Sequence, residues 1–227
     1  MAALATATVD GPHHLRPSIA PSAAIPAGFV VGSVPFSNLM AHRTRGVDLR
    51  RVGTGTVSGT ALYQQAGFLP LATAGIFEVA KGALGPALAG RGRPVTAAAA
   101  AAAAVAGHDW SPFLGGAGGR GLSPAIGALA VCAPAGAVTL LAGLAAGRLA
   151  GETAIGCLAA DLALVPIVKR VHGNRAAWAA AAVVVPMVIK RLAGNGLPTR
   201  PSAGIFVRRF LLDRDQWVKV RVTGSAR

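Results

Sequence analysis

The sequence predicts an all-α, polytopic membrane bundle of about six to seven transmembrane helices. First, 53% of the 227 residues are apolar and only 13% charged, with a mean hydropathy of +0.54, whereas an ordinary soluble domain carries about 25% charge. Second, the apolar residues fall into six segments. Every backbone group within lipid must be satisfied internally, so such segments are expected as helices. Third, the charge is lopsided, with 22 Lys+Arg against 8 Asp+Glu for a net +14, and it sits at the ends of the apolar segments. That placement fits loops facing the cytoplasm and lipid phosphates. A nucleic-acid binder is disfavoured, because the charge is dispersed among apolar segments instead of forming one stripe with aromatics.

Residues 1–22, MAALATATVDGPHHLRPSIAPS, mix Pro, Ala and polar residues without a signal-peptide core and are expected as a disordered extension. A membrane domain is expected over 23–197. Its first segment, IPAGFVVGSVPFSNLMAH from Ile25 to His42, approaches the roughly 20 residues that a helix needs to cross a bilayer. A polar, basic loop follows, then Gly67–Gly90, interrupted by Glu78 and Lys81, and a tight turn at Arg91 and Arg93. The alanine run from Thr96 to Ala106 favours helix and lets neighbouring backbones approach closely. Apolar stretches at 122–147, 152–168 and 176–189 complete the set, joined by connections carrying Arg148, Glu152, Lys169, Arg170, His172 and Arg175. Residues 198–227 are expected as a basic cytosolic tail, and the alternation in IFVRRFLLDRDQWVKVRV suggests a short strand pair. Cys132 and Cys157 lie inside apolar runs and read as small buried hydrophobes.

Three loops combine glycine with Arg or Lys: GVDLRRVGTGTVSGT (46–60), GHDWSPFLGGAGGRG (107–121) and IKRLAGNG (189–196). Glycine lets successive backbone N–H groups converge on an anion, and arginine offers a fork of donors that matches phosphate oxygens. Where GGRGLSPAIG runs into a helix, the dipole adds to the attraction. One such loop is most simply a flexible, positively charged turn. Three in one chain point to a site that handles phosphate.

The motifs VGSVPFSNL, GVDLRRVGTG, EVAKGAL and GHDWSPFLGGAGGRG occur in an order and spacing that resembles the bacterial acyl-phosphate-dependent glycerol-3-phosphate acyltransferases, the PlsY family. The resemblance covers about residues 27–196. It implies seven membrane helices and an enzyme that transfers a fatty acyl group from acyl phosphate to the sn-1 hydroxyl of glycerol 3-phosphate, giving lysophosphatidic acid. Carried over by position, Ser33 and Pro35 hold the GS-x-P places and Arg50 the arginine place, with Gly53, Thr54 and Gly55 as the GSG turn and Thr60 as the threonine of GATN. Lys81 and Gly82 match a lysine–glycine pair, and His108 matches the Gly-His. Gly118, Gly119, Arg120 and Gly121 match GGKG with arginine for lysine, and Arg191 and Leu192 match the third signature. Thr56, Ala61 and Val188 stand where the family has asparagines, and Glu78 stands for an aspartate.

Acyl phosphate is an activated mixed anhydride, so bringing two phosphorylated substrates together and neutralising them can supply much of the rate. On that reading Arg50, Arg120 and Arg191 bind phosphates, Ser33 and Thr54 donate hydrogen bonds, and the N–H groups at 118–121 close the cradle. His108 orients a phosphate or takes the hydroxyl proton. Glu78 and Lys81 share a helix face, and both a structural ion pair and a substrate role for Lys81 stay open. Trp110 and Trp178 read as interfacial anchors and Trp217 as tail packing. His13, His14, His42 and His172 lack metal spacing, and neither metal nor cofactor is expected. The expected partners are the two substrates and the lipid bilayer.

All three loops should share the cytoplasmic face of a bacterial inner membrane. With the amino terminus outside, six spans would strand the third loop on the wrong side, so one segment must be split, re-entrant or not spanning. The Pro and Gly of CAPAGA within 122–147 mark a place to break. Two other functions stay open on the residues alone: a small-anion transporter with arginines lining a pore, and a catalytically impaired paralogue that binds lipid phosphates.

Overall fold

The computed structural model describes residues 21–196 and 202–213. The expected disordered extension over 1–20 and the tail beyond 213, Trp217 included, lie outside the described residues. Among these residues the secondary structure is helical, without a strand. In chain order the α-helices are α1 (Ala24–Gly32), α2 (Phe36–Arg45), α3 (Gly59–Ala66), α4 (Phe68–Ala89), α5 (Pro94–Asp109), α6 (Leu122–Cys132), α7 (Pro134–Leu149), α8 (Thr153–His172), α9 (Asn174–Ala193) and α10 (Ala203–Leu212).

Local chemistry sets the breaks. Pro35 has no N–H to continue a helical ladder, and the first apolar segment divides at Ser33–Pro35 into α1 and α2. The Ser58 hydroxyl accepts the Ala61 N–H at 3.2 Å and starts α3. Pro134 ends the 122–147 segment as one helix and begins α7, so the break falls within CAPAGA. This split resolves the topology. Helix α1 continued by α2, then α4, α5, α6, α7, α8 and α9, make seven successive passes, which brings all three loops to one end, here the loop end. By length and hydropathy Ala24–Arg45, Phe68–Ala89 and Asn174–Ala193 suffice to cross a membrane, and α6 and α7 are shorter apolar helices.

Small residues set the helix spacing. A Cβ on Gly32 would run into the Ala104 backbone, and one on Gly82 into the Pro124 carbonyl, so α1 packs on α5 and α4 on α6 with backbones in contact. Val105, Leu129, Leu140, Leu164, Val183 and Met187 fill the centre between α5, α6, α7, α8 and α9. Large apolar side chains such as Ile76, Leu162 and Trp178 face outward, as a lipid-embedded surface requires.

The tail differs from its expected strand pair over the described residues, where Ala203–Leu212 is helix α10. Ile205, Arg209 and Leu212 recur at helical spacing and are less exposed than Phe206, Val207 and Leu211. Arg209 donates to the carbonyls of Leu192 (3.2 Å), Ala193 (2.6 Å) and Gly196 (2.9 Å), acceptors that the end of α9 leaves unsatisfied. That demand on the carbonyls outweighs the short alternation in sequence.

Candidate functional site

Beneath the loops lies a buried polar cluster. Glu78 and Lys81 are one turn apart on α4 and His108 is near the end of α5, with exposures of 2%, 3% and 9%. Lys81 Nζ is 2.6 Å from Glu78 Oε2, donates to the Val34 carbonyl at 2.7 Å and lies 3.1 Å from His108 Nδ1. Glu78 Oε1 accepts the Ser37 N–H at 3.0 Å and its hydroxyl at 3.1 Å. Charges at this depth persist only when paired and hydrogen-bonded. Of the two readings open for Lys81, this geometry favours the structural ion pair, because the buried ammonium already holds the Glu78 carboxylate and the Val34 carbonyl. The pair also pins the chain break between α1 and α2.

His108 Nδ1 is also 3.1 Å from Glu78 Oε2. A single ring nitrogen either accepts from Lys81 or donates to Glu78, and donation leaves the Nε2 lone pair available. Nε2 faces the second loop, where a Cβ on Gly119 would collide with it. Glycine is therefore required at 119 for the loop to lie against the imidazole. The neighbouring Gly118 is pressed against the His108 and Asp109 carbonyls, and the Gly119 N–H donates to the His108 carbonyl at 3.3 Å.

The three loops are joined above this cluster. The Val57 N–H donates to the Gly118 carbonyl at 3.1 Å, linking the first loop to the second. Asn195, in the third, links both: its amide nitrogen donates to the carbonyls of Gly55 (2.9 Å) and Gly118 (3.2 Å), and its oxygen accepts the Gly118 N–H at 3.3 Å. Arg50 forms a fork with Asp48, Nη2 donating to Oδ2 at 2.6 Å, and reaches the Leu114 carbonyl at 3.3 Å. The Arg50 hydrogen bond holds the Asp48 carboxyl below its ordinary value, and the same bond raises Arg50. Arg120 pairs with Asp213 and reaches the Lys190 carbonyl at 3.5 Å.

The site residues expected from sequence fare differently. Gly53, Thr54 and Gly55 form the turn of the first loop, both glycines having positive φ. Thr60 is exposed in the first turn of α3. Gly121, with φ +74°, leads into α6. Ser33 is buried, its hydroxyl donating to the Phe29 carbonyl at 2.7 Å and its own carbonyl accepting from Ser111 Oγ at 2.6 Å. Arg50 touches the second loop and Arg120 belongs to it. Arg191 is spent elsewhere: it donates to the carbonyls of Phe210 (2.7 Å) and Ala154 (2.6 Å) and clamps α10 onto α8 and α9. Trp178 is exposed as an anchor would be, whereas the Trp110 ring carries the Lys190 ammonium, 5.1 Å from its centre.

Sequence reasoning passed over Asn195, Lys190 and Asp109. Asn195 and Lys190 lie within the quoted third loop, and an asparagine between two glycines is itself a signal for a side-chain amide that ties turns. Lys190 is buried and reaches the Gly116 carbonyl at 3.4 Å. Asp109 is fully buried, and neither of its oxygens meets a hydrogen-bond donor among the described residues. Nothing in the sequence distinguished it from a helix-end residue.

Residues 22–195 match the family model described as glycerol-3-phosphate acyltransferase. Glycerol-3-phosphate acyltransferase 4 of Dehalococcoides mccartyi (strain CBDB1) is 30% identical over 84% of this chain and 88% of its own length. A glycerol-3-phosphate acyltransferase of Roseiflexus sp. (strain RS-1) is 36% identical over 58% of this chain and 64% of its own. The fold is similar to the crystal structure of PlsY (YgiH), an integral membrane glycerol 3-phosphate acyltransferase, in its glycerol 3-phosphate form. The TM-score there is 0.67 at 21% identity, covering 75% of this chain and 88% of that one.

Proposed function

Because the chain belongs to the glycerol-3-phosphate acyltransferase family, we propose that the loop end of this bundle transfers a fatty acyl group from acyl phosphate to the sn-1 hydroxyl of glycerol 3-phosphate. The product is lysophosphatidic acid, for phospholipid synthesis. The hydroxyl oxygen attacks the acyl carbonyl carbon, the bond from that carbon to the phosphate oxygen breaks, and an ester and inorganic phosphate form. No covalent enzyme intermediate is needed, since the mixed anhydride is already activated.

In this reading Arg50 and Arg120 hold the substrate phosphates, with the N–H groups of Gly118–Gly121 and the Gly53–Gly55 turn completing the cradle. Arg191 positions α10 instead of binding phosphate. His108, its Nδ1 donating to Glu78, takes the hydroxyl proton at Nε2 and passes it to the leaving phosphate. Glu78 holds that ring, and Lys81 in turn holds Glu78. Arg43, Arg45, Arg50, Arg51, Arg120 and Arg148 crowd the loop end, and this positive excess supports reading that end as the cytoplasmic face of a bacterial inner membrane.

The observation that carries the proposal is the convergence of three separate loops through Asn195 over the His108 cluster. The test incubates purified protein with palmitoyl phosphate and glycerol 3-phosphate and follows lysophosphatidic acid and released phosphate. Stoichiometric products, lost in Arg120→Ala with the fold retained, support it. Binding of glycerol 3-phosphate without product would instead identify an impaired paralogue.

A further inference from the structure

The end of the bundle opposite the loops is also basic. Arg91 and Arg93 lie in the connection between α4 and α5, Lys169 and Arg170 in the last turn of α8 and Arg175 in the first turn of α9, and no Asp or Glu among the described residues joins them. The loop end, by contrast, has Asp48, Glu152 and Asp213 as counter-charges. Arg91 and Arg175 are exposed, and neither makes a hydrogen bond or ion pair with the described residues. A basic end without internal counter-charge, on the face where a positive excess is least expected, calls for an external anion.

Both arginines line a cleft of about 670 Å³ formed where α4 and α6 end and α5 and α9 begin. The walls below them are apolar, Pro86, Ala97, Val131 and Ala179 among them. His172 lies at the same mouth, and its Nε2 accepts the Ala135 N–H at 3.2 Å, so the neutral ring carries its proton on Nδ1 as a donor. The size is that of a small-molecule site.

We propose that this cleft holds one anionic phospholipid, its phosphate between Arg91 and Arg175 and an acyl chain along the apolar wall. The arginine fork matches phosphate oxygens, and a free inorganic anion would leave the apolar wall unused. The site is separate from the acyl-transfer site at the other end.

The test reconstitutes the full chain in phosphatidylcholine nanodiscs with increasing phosphatidylglycerol and follows the thermal midpoint. The midpoint should rise and saturate at a low phosphatidylglycerol fraction. In the double variant Arg91→Gln/Arg175→Gln, the half-saturating fraction should increase by at least about tenfold, because the charge-assisted hydrogen bonds of both guanidinium groups to the phosphate are lost. The double variant Arg93→Gln/Arg170→Gln removes the same charge from the same end but outside the cleft, and should respond like the parent. Equal weakening in the two double variants would overturn the proposal, leaving general surface attraction. A full response to inorganic phosphate in pure phosphatidylcholine would overturn it in favour of a free-anion site.

Discussion

Asn195 Nδ2 lies 2.9 Å from the Gly55 carbonyl oxygen, joining positions 140 residues apart. The same amide exchanges hydrogen bonds with Gly118, so one side chain sets the distance between all three loops. Asn195→Ala removes these bonds, each worth about 1 kcal/mol net. The expected result is a modest fall in the thermal midpoint and a loss of at least about tenfold in kcat/KM for glycerol 3-phosphate, equivalent to about 1.4 kcal/mol of transition-state stabilisation. Asn195→Asp, which cannot donate to the two carbonyls, should be no better. Steady-state kinetics decide the matter, and unchanged kcat/KM in both variants would show that the loops hold their geometry without this residue.

The buried pair on α4 is coupled in a way that a double-mutant cycle can read. Lys81→Met strands the Glu78 carboxylate among apolar helices, at a cost of about 3–5 kcal/mol. Glu78→Gln/Lys81→Met removes the stranded charge and should recover part of that loss in detergent-solubilised thermal unfolding. Purely additive losses would mean that the 2.6 Å contact contributes no interaction of its own.

Composition and spacing carried the helical bundle, the break at CAPAGA and the close backbone approach along the alanine run, because each of these follows from local rules. A proline has no N–H to give, and alanine lets backbones meet; that Gly119 packs on the His108 imidazole is visible only in the folded chain. The fate of Arg191 was not legible in this way. Its neighbour Lys190 and the third-loop motif suggest phosphate equally for both, but α10 presents the Phe210 carbonyl, and only the folded chain reveals that competitor. Asn195 was overlooked for a related reason, since its partners are glycine carbonyls with no side-chain signature. The tail was misread because the alternation over 205–212 is too short to outweigh the open carbonyls at the end of α9.

Asp48 gives the first loop a pH dependence of known sign. Arg50 lowers its folded-state pKa from an ordinary 3.8, so the tie is fully present above that ordinary value and is lost as pH falls through the lower folded value. Amide exchange over residues 49–57, corrected for intrinsic rates, should show greater opening at about pH 3 than at about pH 6. Asp48→Asn should be open at both. Equal protection at the two pH values in the parent chain would remove Asp48 as the cause.

Asp213 occupies Arg120, and it does so from the only non-glycine positive φ among the described residues, +49°, a conformation that aspartate tolerates better than most residues. A carboxylate and a phosphate satisfy the same guanidinium fork, so in the proposed reaction the substrate phosphate competes with the end of α10. Asp213→Asn keeps the shape and removes the charge. KM for acyl phosphate should fall by about three- to tenfold with kcat little changed, a gain of about 0.7–1.4 kcal/mol in binding. Arg120→Ala combined with Asp213→Asn should be as inactive as Arg120→Ala alone, because the gain acts only through that arginine. A rise in KM for Asp213→Asn would reverse the assignment, making Asp213 the residue that aims Arg120 at its substrate.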